Sequence, residues 1–250
     1  MDLVGRRVRP RLFATGEHDQ RRSGSGGGFP GGGSETQIEG PPSLVARWAR
    51  LLVGLWLFAM GTVMFLRAAL GLSPWDVLAD GVRANSPLTF GQAVIAIGLV
   101  LVLGSLLAGI KPGPGTIANM LMIGAFADLM LATGIGSELA DGAMWLRVAV
   151  MLGGIVLTGL GSALYIGAEL GAGPRDSLMI AVATRAKIRV GAARALLEGS
   201  ALLLGFALGG SVGLGTVVFA LGIGPAVDFA FQLFRMDSAG HRRVEPVAKS

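Results

Sequence analysis

Gly71-Leu72-Ser73-Pro74-Trp75-Asp76 and Gly171-Ala172-Gly173-Pro174-Arg175-Asp176 stand 100 residues apart and share one pattern, Gly-x-x-Pro-x-Asp. The agreement runs outward from these segments without a gap. Gly54 and Gly61 meet Gly154 and Gly161, and Gly91 meets Gly191. Gly113, Gly115 and Thr116 meet Gly213, Gly215 and Thr216, while Gly124 and Asp128 meet Gly224 and Asp228. Between these marks, most changes swap one apolar residue for another. Residues 51–131 and 151–231 therefore read as one segment written twice, and such a repeat decides the architecture.

The repeated segment is built for lipid. Hydrophobic residues make up 52% of the chain and charged residues 15%, against about 25% charged in soluble domains. Mean hydropathy is +0.65. Several apolar runs approach the roughly 20 residues that an α-helix needs to cross a bilayer. No alternating ten-residue strands of the β-barrel kind are present. The fold class expected is all-α: a polytopic helical membrane protein with six spans, at 46–69, 91–109, 116–133, 145–168, 192–209 and 215–234.

Between the spans lie breakers, including Lys111-Pro112-Gly113-Pro114-Gly115. Two semi-apolar segments, 74–83 and 174–185, are too short to cross. Each opens on a proline, which suits the first turn of a helix. They read equally as interfacial helices or as re-entrant half-helices.

Charge sets an expected orientation. Arg47 and Arg50 precede the first span, and basic residues collect on the cytoplasmic side. Six spans then place Lys111, the Arg185-Ala186-Lys187-Ile188-Arg189 cluster and both termini inside, with Glu138 and Asp141 outside. The loop at 71–90 is not basic and falls outside, while its equivalent at 171–190 is basic and falls inside. Three spans per copy turn the second copy upside down, an inverted repeat of the transporter kind. The domain reading is a Gly/Arg-rich tail at 1–43, expected to be disordered, membrane repeats at 44–134 and 145–235, and a basic tail at 236–250. The expected location is the cell membrane, multi-pass, with both termini cytoplasmic.

Chemistry-bearing residues are few. Cysteine is absent and both histidines, His18 and His241, lie in the tails. No thiol chemistry and no histidine-based site in the core is open to the chain. No cofactor, metal or nucleic acid is expected, and the reading is not that of an enzyme.

The candidate binding residues come in symmetry-related pairs. Asp128 and Asp228 fall within the third and sixth spans, where an acid is costly and functional by default; the plain alternative is an acid near a helix end held by structural donors. Asp76 and Asp176 follow Pro74 and Pro174 in a first helical turn, where a carboxylate caps free N–H groups. The functional alternative is that both loops dip inward from opposite faces and meet. Trp75 reads as an interface anchor or a stacking platform. Thr116 and Thr216 open their spans as capping residues, with anion binding at the helix start as the alternative. Arg194 and Glu198 stand one turn apart and suggest an intrahelical ion pair.

Gly71-Leu72-Ser73-Pro74-Trp75-Asp76-Val77-Leu78, the Gly115-Thr116 turn and the Gly124-x-x-x-Asp128 step resemble the YczE-like bacterial integral membrane proteins, distantly akin to the YitT type. The resemblance spans roughly residues 45–235. It implies a multi-spanning protein of the cytoplasmic membrane whose molecular activity is poorly defined. The second copy departs from the motif, with Arg175 where the first has Trp75.

Two functions fit the sequence. The first is a transporter for a small solute or ion, with Asp76, Asp176, Asp128 and Asp228 converging on one cavity. The second is a non-transporting membrane accessory or interaction protein with a packed core. The expected partners are the lipid bilayer and the unknown solute, and a homo-oligomer is compatible with either.

Overall fold

The computed structural model describes residues 43–234 and Met236. The expectations for the two tails lie outside the described residues, apart from Ser43 and Met236. The helices are α1 (Leu44–Ala68), α2 (Pro74–Ala84), α3 (Phe90–Leu107), α4 (Pro114–Ala132), α5 (Met144–Ile166), α6 (Pro174–Ala186), α7 (Val190–Ala207) and α8 (Leu214–Leu233). A short 3-10 turn, Ser137–Asp141, precedes α5.

Six of these helices, α1, α3, α4, α5, α7 and α8, are long and apolar enough to cross a membrane. Their ends fall within two residues of the expected boundaries. Their outer faces expose large apolar side chains such as Leu103, Leu203, Phe206 and Leu221, as a lipid-facing surface would. The two short helices have 11 and 13 residues.

Several helices begin where a nearby side chain meets a free N–H group. Thr89 and Gln92 form a reciprocal capping box at the start of α3, with bonds of 3.1 and 3.0 Å. Thr116 and Thr216 each reach back to accept the N–H of Gly113 and Gly213.

The centre of the bundle is the pairing of α1 with α5. Glycines let the two backbones touch. A Cβ at Gly54 would lie 2.8 Å from the Gly161 carbonyl oxygen, and one at Gly61 would lie 2.6 Å from that of Gly154. The pairing is antiparallel, because Gly54 opposes Gly161 while Gly61 opposes Gly154. An arginine closes each end. Arg47 Nε donates to the Ala168 carbonyl (2.8 Å) and Arg147 Nε donates to that of Ala68 (2.9 Å). Each guanidinium also reaches the next carbonyl, Glu169 and Ala69 respectively. Carbonyls left free at the two helix ends are thereby satisfied.

The remaining spans arrange themselves around this pair. The end of the bundle where α1 starts is called the termini side here, because α8 also ends there: Ala230 and Phe231 pack with Ala163 and Met236. The opposite end is the far side. At the termini side α4 begins, with Gly115 N–H donating to Leu170 O (2.8 Å). It ends at the far side, where Arg67 donates to Leu131 O. At the far side α8 begins, with Gly215 N–H donating to Leu70 O (2.7 Å). The two loops that make these contacts turn at Gly71 (φ 112°) and Gly171 (φ 127°), where only glycine is relaxed. A Cβ at Gly71 would lie 2.6 Å from Gly213 N.

The starts of the short helices pack among the long ones. Trp75, at the start of α2, is buried with Leu101 and Ala201 from mid-α3 and mid-α7. The end of α2 is at the far side, where Asn85 Nδ2 donates to Leu208 O (2.7 Å) at the end of α7. The end of α6 is at the termini side, where Arg185 donates to Leu107 O (3.2 Å) at the end of α3. The two half-helices thus enter from opposite ends and start close together.

Overpacking the central seam should unfold the bundle. Gly61→Leu is expected to lower stability in detergent by about 1–3 kcal/mol or more, the range for forced overpacking. Gly199→Ala, where no atom lies within 4 Å of the added carbon, should leave the melting temperature unchanged or raised. Equal losses for both would contradict the seam.

Candidate functional site

A cavity of about 200 Å³ lies where α2 and α6 start. The sequence puts prolines at the first position of both helices, so the chain turns sharply into each helix and points its N-terminal end at the space. Both prolines, Pro74 and Pro174, line it. Two helix starts facing one cavity give it a positive local field.

The two half-helices supply different side chains at matched positions. Arg175 extends from α6 over the ring of Trp75, its guanidinium carbon 5.3 Å from the ring centroid. That is cation–π distance. Arg175 makes no carboxylate ion pair among the described residues. Trp75 is thus buried in the bundle with a guanidinium over its ring.

The paired carboxylates also differ. Asp76 is 5% exposed. Ser73 Oγ donates to its Oδ2 (2.6 Å) and accepts from its N–H (3.3 Å), so Ser73 caps α2 and Asp76 holds the capping hydroxyl behind the cavity wall. At the matching place the second half has Gly173, and a Cβ there would lie 3.3 Å from Asp176 Oδ2. Without the serine, Asp176 lines the cavity, with Tyr165 Oη 3.5 Å from Oδ2. The capping serine of the first half is replaced in the second by a glycine that Asp176 Oδ2 and Asn119 crowd.

Three other sets complete the wall. Asn119 from α4 and Thr158, Ser162 and Tyr165 from α5 bring uncharged polar groups. Ile97, Leu101, Met179 and Phe219 bring apolar surface. Arg194 and Glu198 stand on α7, paired at 2.8 Å as their spacing suggests and partly exposed. This mixture of an apolar body and a few placed polar groups is that of a small-molecule pocket. Among the described residues no group of three or more acids or histidines is placed to hold a metal ion.

The expected four-carboxylate site does not form. Asp128 is held at the far side: Gly91 N–H donates to its Oδ1 (2.7 Å) and Thr89 Oγ1 donates to its Oδ2. It caps the start of α3, one turn from the end of its own helix. Asp228 is exposed on α8 and makes no hydrogen bond or ion pair among the described residues. Neither lines the cavity. Thr116 and Thr216 are buried away from it; Thr116 Oγ1 donates to Ala172 O and so anchors the loop before α6.

Sequence reasoning missed Tyr165, Asn119 and the position of Arg175. One signal was available: Tyr165 is the chain's single tyrosine. It also missed Asp80, which is buried on α2. Asp80 accepts from Arg83 (2.6 Å) and from both the N–H (3.0 Å) and the hydroxyl (2.7 Å) of Ser211. This ties α2 to the α7–α8 loop, and Ile180 and Lys111 stand at the matching places, so α6 has no such tie.

Known proteins share this chain's sequence. A model of a family of unknown function, DUF6198, matches residues 45–232. An uncharacterized protein of Haemophilus influenzae is 37% identical over 179 residues, covering 72% of this chain and 80% of its own length. The uncharacterized membrane protein YczE of Bacillus subtilis is 34% identical over 195 residues, covering 75% and 86%. The uncharacterized protein YyaS of the same organism is 25% identical over 167 residues, covering 66% and 83%. No solved structure matches. With nearly all of the helical bundle inside one family model, this chain belongs to the DUF6198 family and is a YczE-like membrane protein by its similarity to that relative.

Proposed function

We propose that this protein is a transporter for a small solute, with its binding site where α2 and α6 start, at the interface of two inverted three-span repeats (44–134 and 145–235). One observation carries the reading. Two half-helices enter the bundle from opposite ends and aim their N-terminal ends at one cavity, bringing Arg175 within 5.3 Å of Trp75. A discontinuous pair of this kind, near mid-depth at a repeat interface, is how secondary transporters build substrate sites.

Other contacts support the inversion. The Arg47–Ala168 and Arg147–Ala68 bonds, and the Gly115–Leu170 and Gly215–Leu70 bonds, are each other's images after a shift of 100 residues. An antiparallel α1 and α5 makes that shift an inversion. The basic residues Arg185, Lys187 and Arg189 sit at the termini side with Arg47 and Arg50. The positive-inside rule then puts that side, and both termini, in the cytoplasm.

The solute is bound by Arg175 and Asp176 and by the uncharged polar groups of α4 and α5, while Asp76 serves the fold. Reconstituted into proteoliposomes and screened against panels of labelled amino acids, organic acids, organic cations and inorganic ions, the protein should move at least one class. Arg175→Ala or Asp176→Asn should cut that uptake tenfold or more, equivalent to losing about 1.4 kcal/mol. Uptake of no class, or uptake indifferent to both substitutions, would contradict the site.

Topology has its own check, because the chain lacks cysteine. Single cysteines replacing Lys111 and Lys187 should react with a membrane-impermeant maleimide only from the cytoplasmic side, and one replacing Glu138 only from outside. Reaction of the Lys187 and Glu138 positions from the same side would overturn the inversion.

A further inference from the structure

The two halves of the bundle also differ at their outer ends. At the far side α3 and α4 are in contact: Gly91 and Gly124 oppose each other, and a Cβ at Gly91 would lie 2.6 Å from Asp128 Cγ. Asp128 bonds to Gly91 N–H and to Thr89. At the termini side the equivalents, α7 and α8, stand apart. Nothing lies within 4 Å of a Cβ placed at Gly191 or Gly224. Asp228, the counterpart of Asp128, has no partner among the described residues, and neither does the side chain of Arg189, the counterpart of Thr89. Arg189 and Asp228 are both exposed.

Glycines at 191 and 224 are unexplained by any contact in this conformation. In the first half the same two positions are glycine because two backbones touch there. An Asp on α8 without a partner is equally unexplained, since a carboxylate in a span is costly unless a donor meets it. One movement accounts for all of them. If α8 swings onto α7, Gly224 meets Gly191, and Asp228 reaches the Gly191 N–H and the Arg189 guanidinium. The second latch would be an ion pair where the first is a hydroxyl bond. The second half also carries a means of bending: Pro225, inside α8, has no N–H to give to the Leu221 carbonyl, whereas the first half has Ala125.

We propose that Asp128 and Asp228 are alternating latches, one closing α3 on α4 at the far side and the other closing α7 on α8 at the termini side. The cavity reaches Arg194 and Glu198 on α7 and Ile223 and Val227 on α8, so it extends into the gap that the second latch closes. In the conformation described here the far-side latch is shut and the termini-side latch is open. As a device for carrying a solute, this rests on the transport function proposed above; the closure itself does not.

The absence of native cysteine makes the test direct. The double variant Thr89→Cys/Asp128→Cys should form an intramolecular disulfide under mild oxidation in nanodiscs. Arg189→Cys/Asp228→Cys, which leaves the far-side latch intact, should form one too, although those residues have no contact in this conformation. In the four-cysteine protein, each molecule should carry one disulfide and not both. Gly224→Val fills open space here, so it should leave the fold and melting temperature intact while suppressing the 189–228 disulfide several-fold. Failure of the 189–228 pair to cross-link while the 89–128 pair does, both disulfides in one molecule, or a 189–228 disulfide undiminished by Gly224→Val would each overturn the proposal. The latch and transport fail separately. Alternating disulfides without uptake of any solute would sink transport and leave the latches standing; uptake without 189–228 cross-linking would do the reverse.

Discussion

Every other contact in this bundle depends on two helix backbones lying against each other with no side chain between them. The α1–α5 seam requires glycine at four places, 54, 61, 154 and 161, and it leaves each helix ending beside the start of the other. Such an arrangement strands carbonyl groups at both ends. Arg47 and Arg147 answer that need from the partner helix, each with two bonds. In a low-dielectric setting an unmet carbonyl is expensive, so the arginines fix the sliding register of the seam. That register in turn sets where the loops at Gly71 and Gly171 land on the starts of α8 and α4, and hence where α2 and α6 begin.

Starting a helix inside a bundle exposes free N–H groups where water is scarce. In the first half Ser73 caps α2 and is held by Asp76, and Asp80 binds the far-side loop through Ser211. The second half has no such set. Gly173 stands in for Ser73 and Ile180 for Asp80, so Asp176 and Arg175 are left facing the cavity. In the first half the polar groups are tied to the fold, while in the second Arg175 and Asp176 line the cavity. The same division recurs at the outer ends of the bundle, where α3 and α4 are joined and α7 and α8 are not.

Much of the fold was legible in the sequence. The repeat's glycines and prolines mark the helix boundaries, since breakers act locally and need no knowledge of neighbours. Pro74 and Pro174 begin their helices as their position in the motif demands, and Arg194 pairs with Glu198 because both sit on one helical face. The carboxylates were less legible. Helical rise gives depth along a span but not which neighbour a side chain meets. Asp128 lies one turn before the end of α4 and finds its donors at the start of the preceding helix, and only the α3–α4 contact puts Thr89 and Gly91 beside it. Asp228 stands in the same Gly-x-x-x-Asp step and lacks that contact. The cavity was half legible: the meeting of the two Pro-x-Asp loops follows from symmetry, but the contribution of Tyr165 and Asn119 depends on packing between distant spans.

The central claim is that α2 and α6 enter from opposite faces and meet in the middle. Cysteines replacing Trp75 and Arg175 test it in the cysteine-free chain, with a short bis-maleimide as the bridge. Efficient intramolecular cross-linking, together with slow reaction of either single cysteine with an impermeant maleimide, is the predicted result. No cross-link, with each single cysteine reacting rapidly from a different face of the membrane, would place the two helices at opposite interfaces and contradict the account.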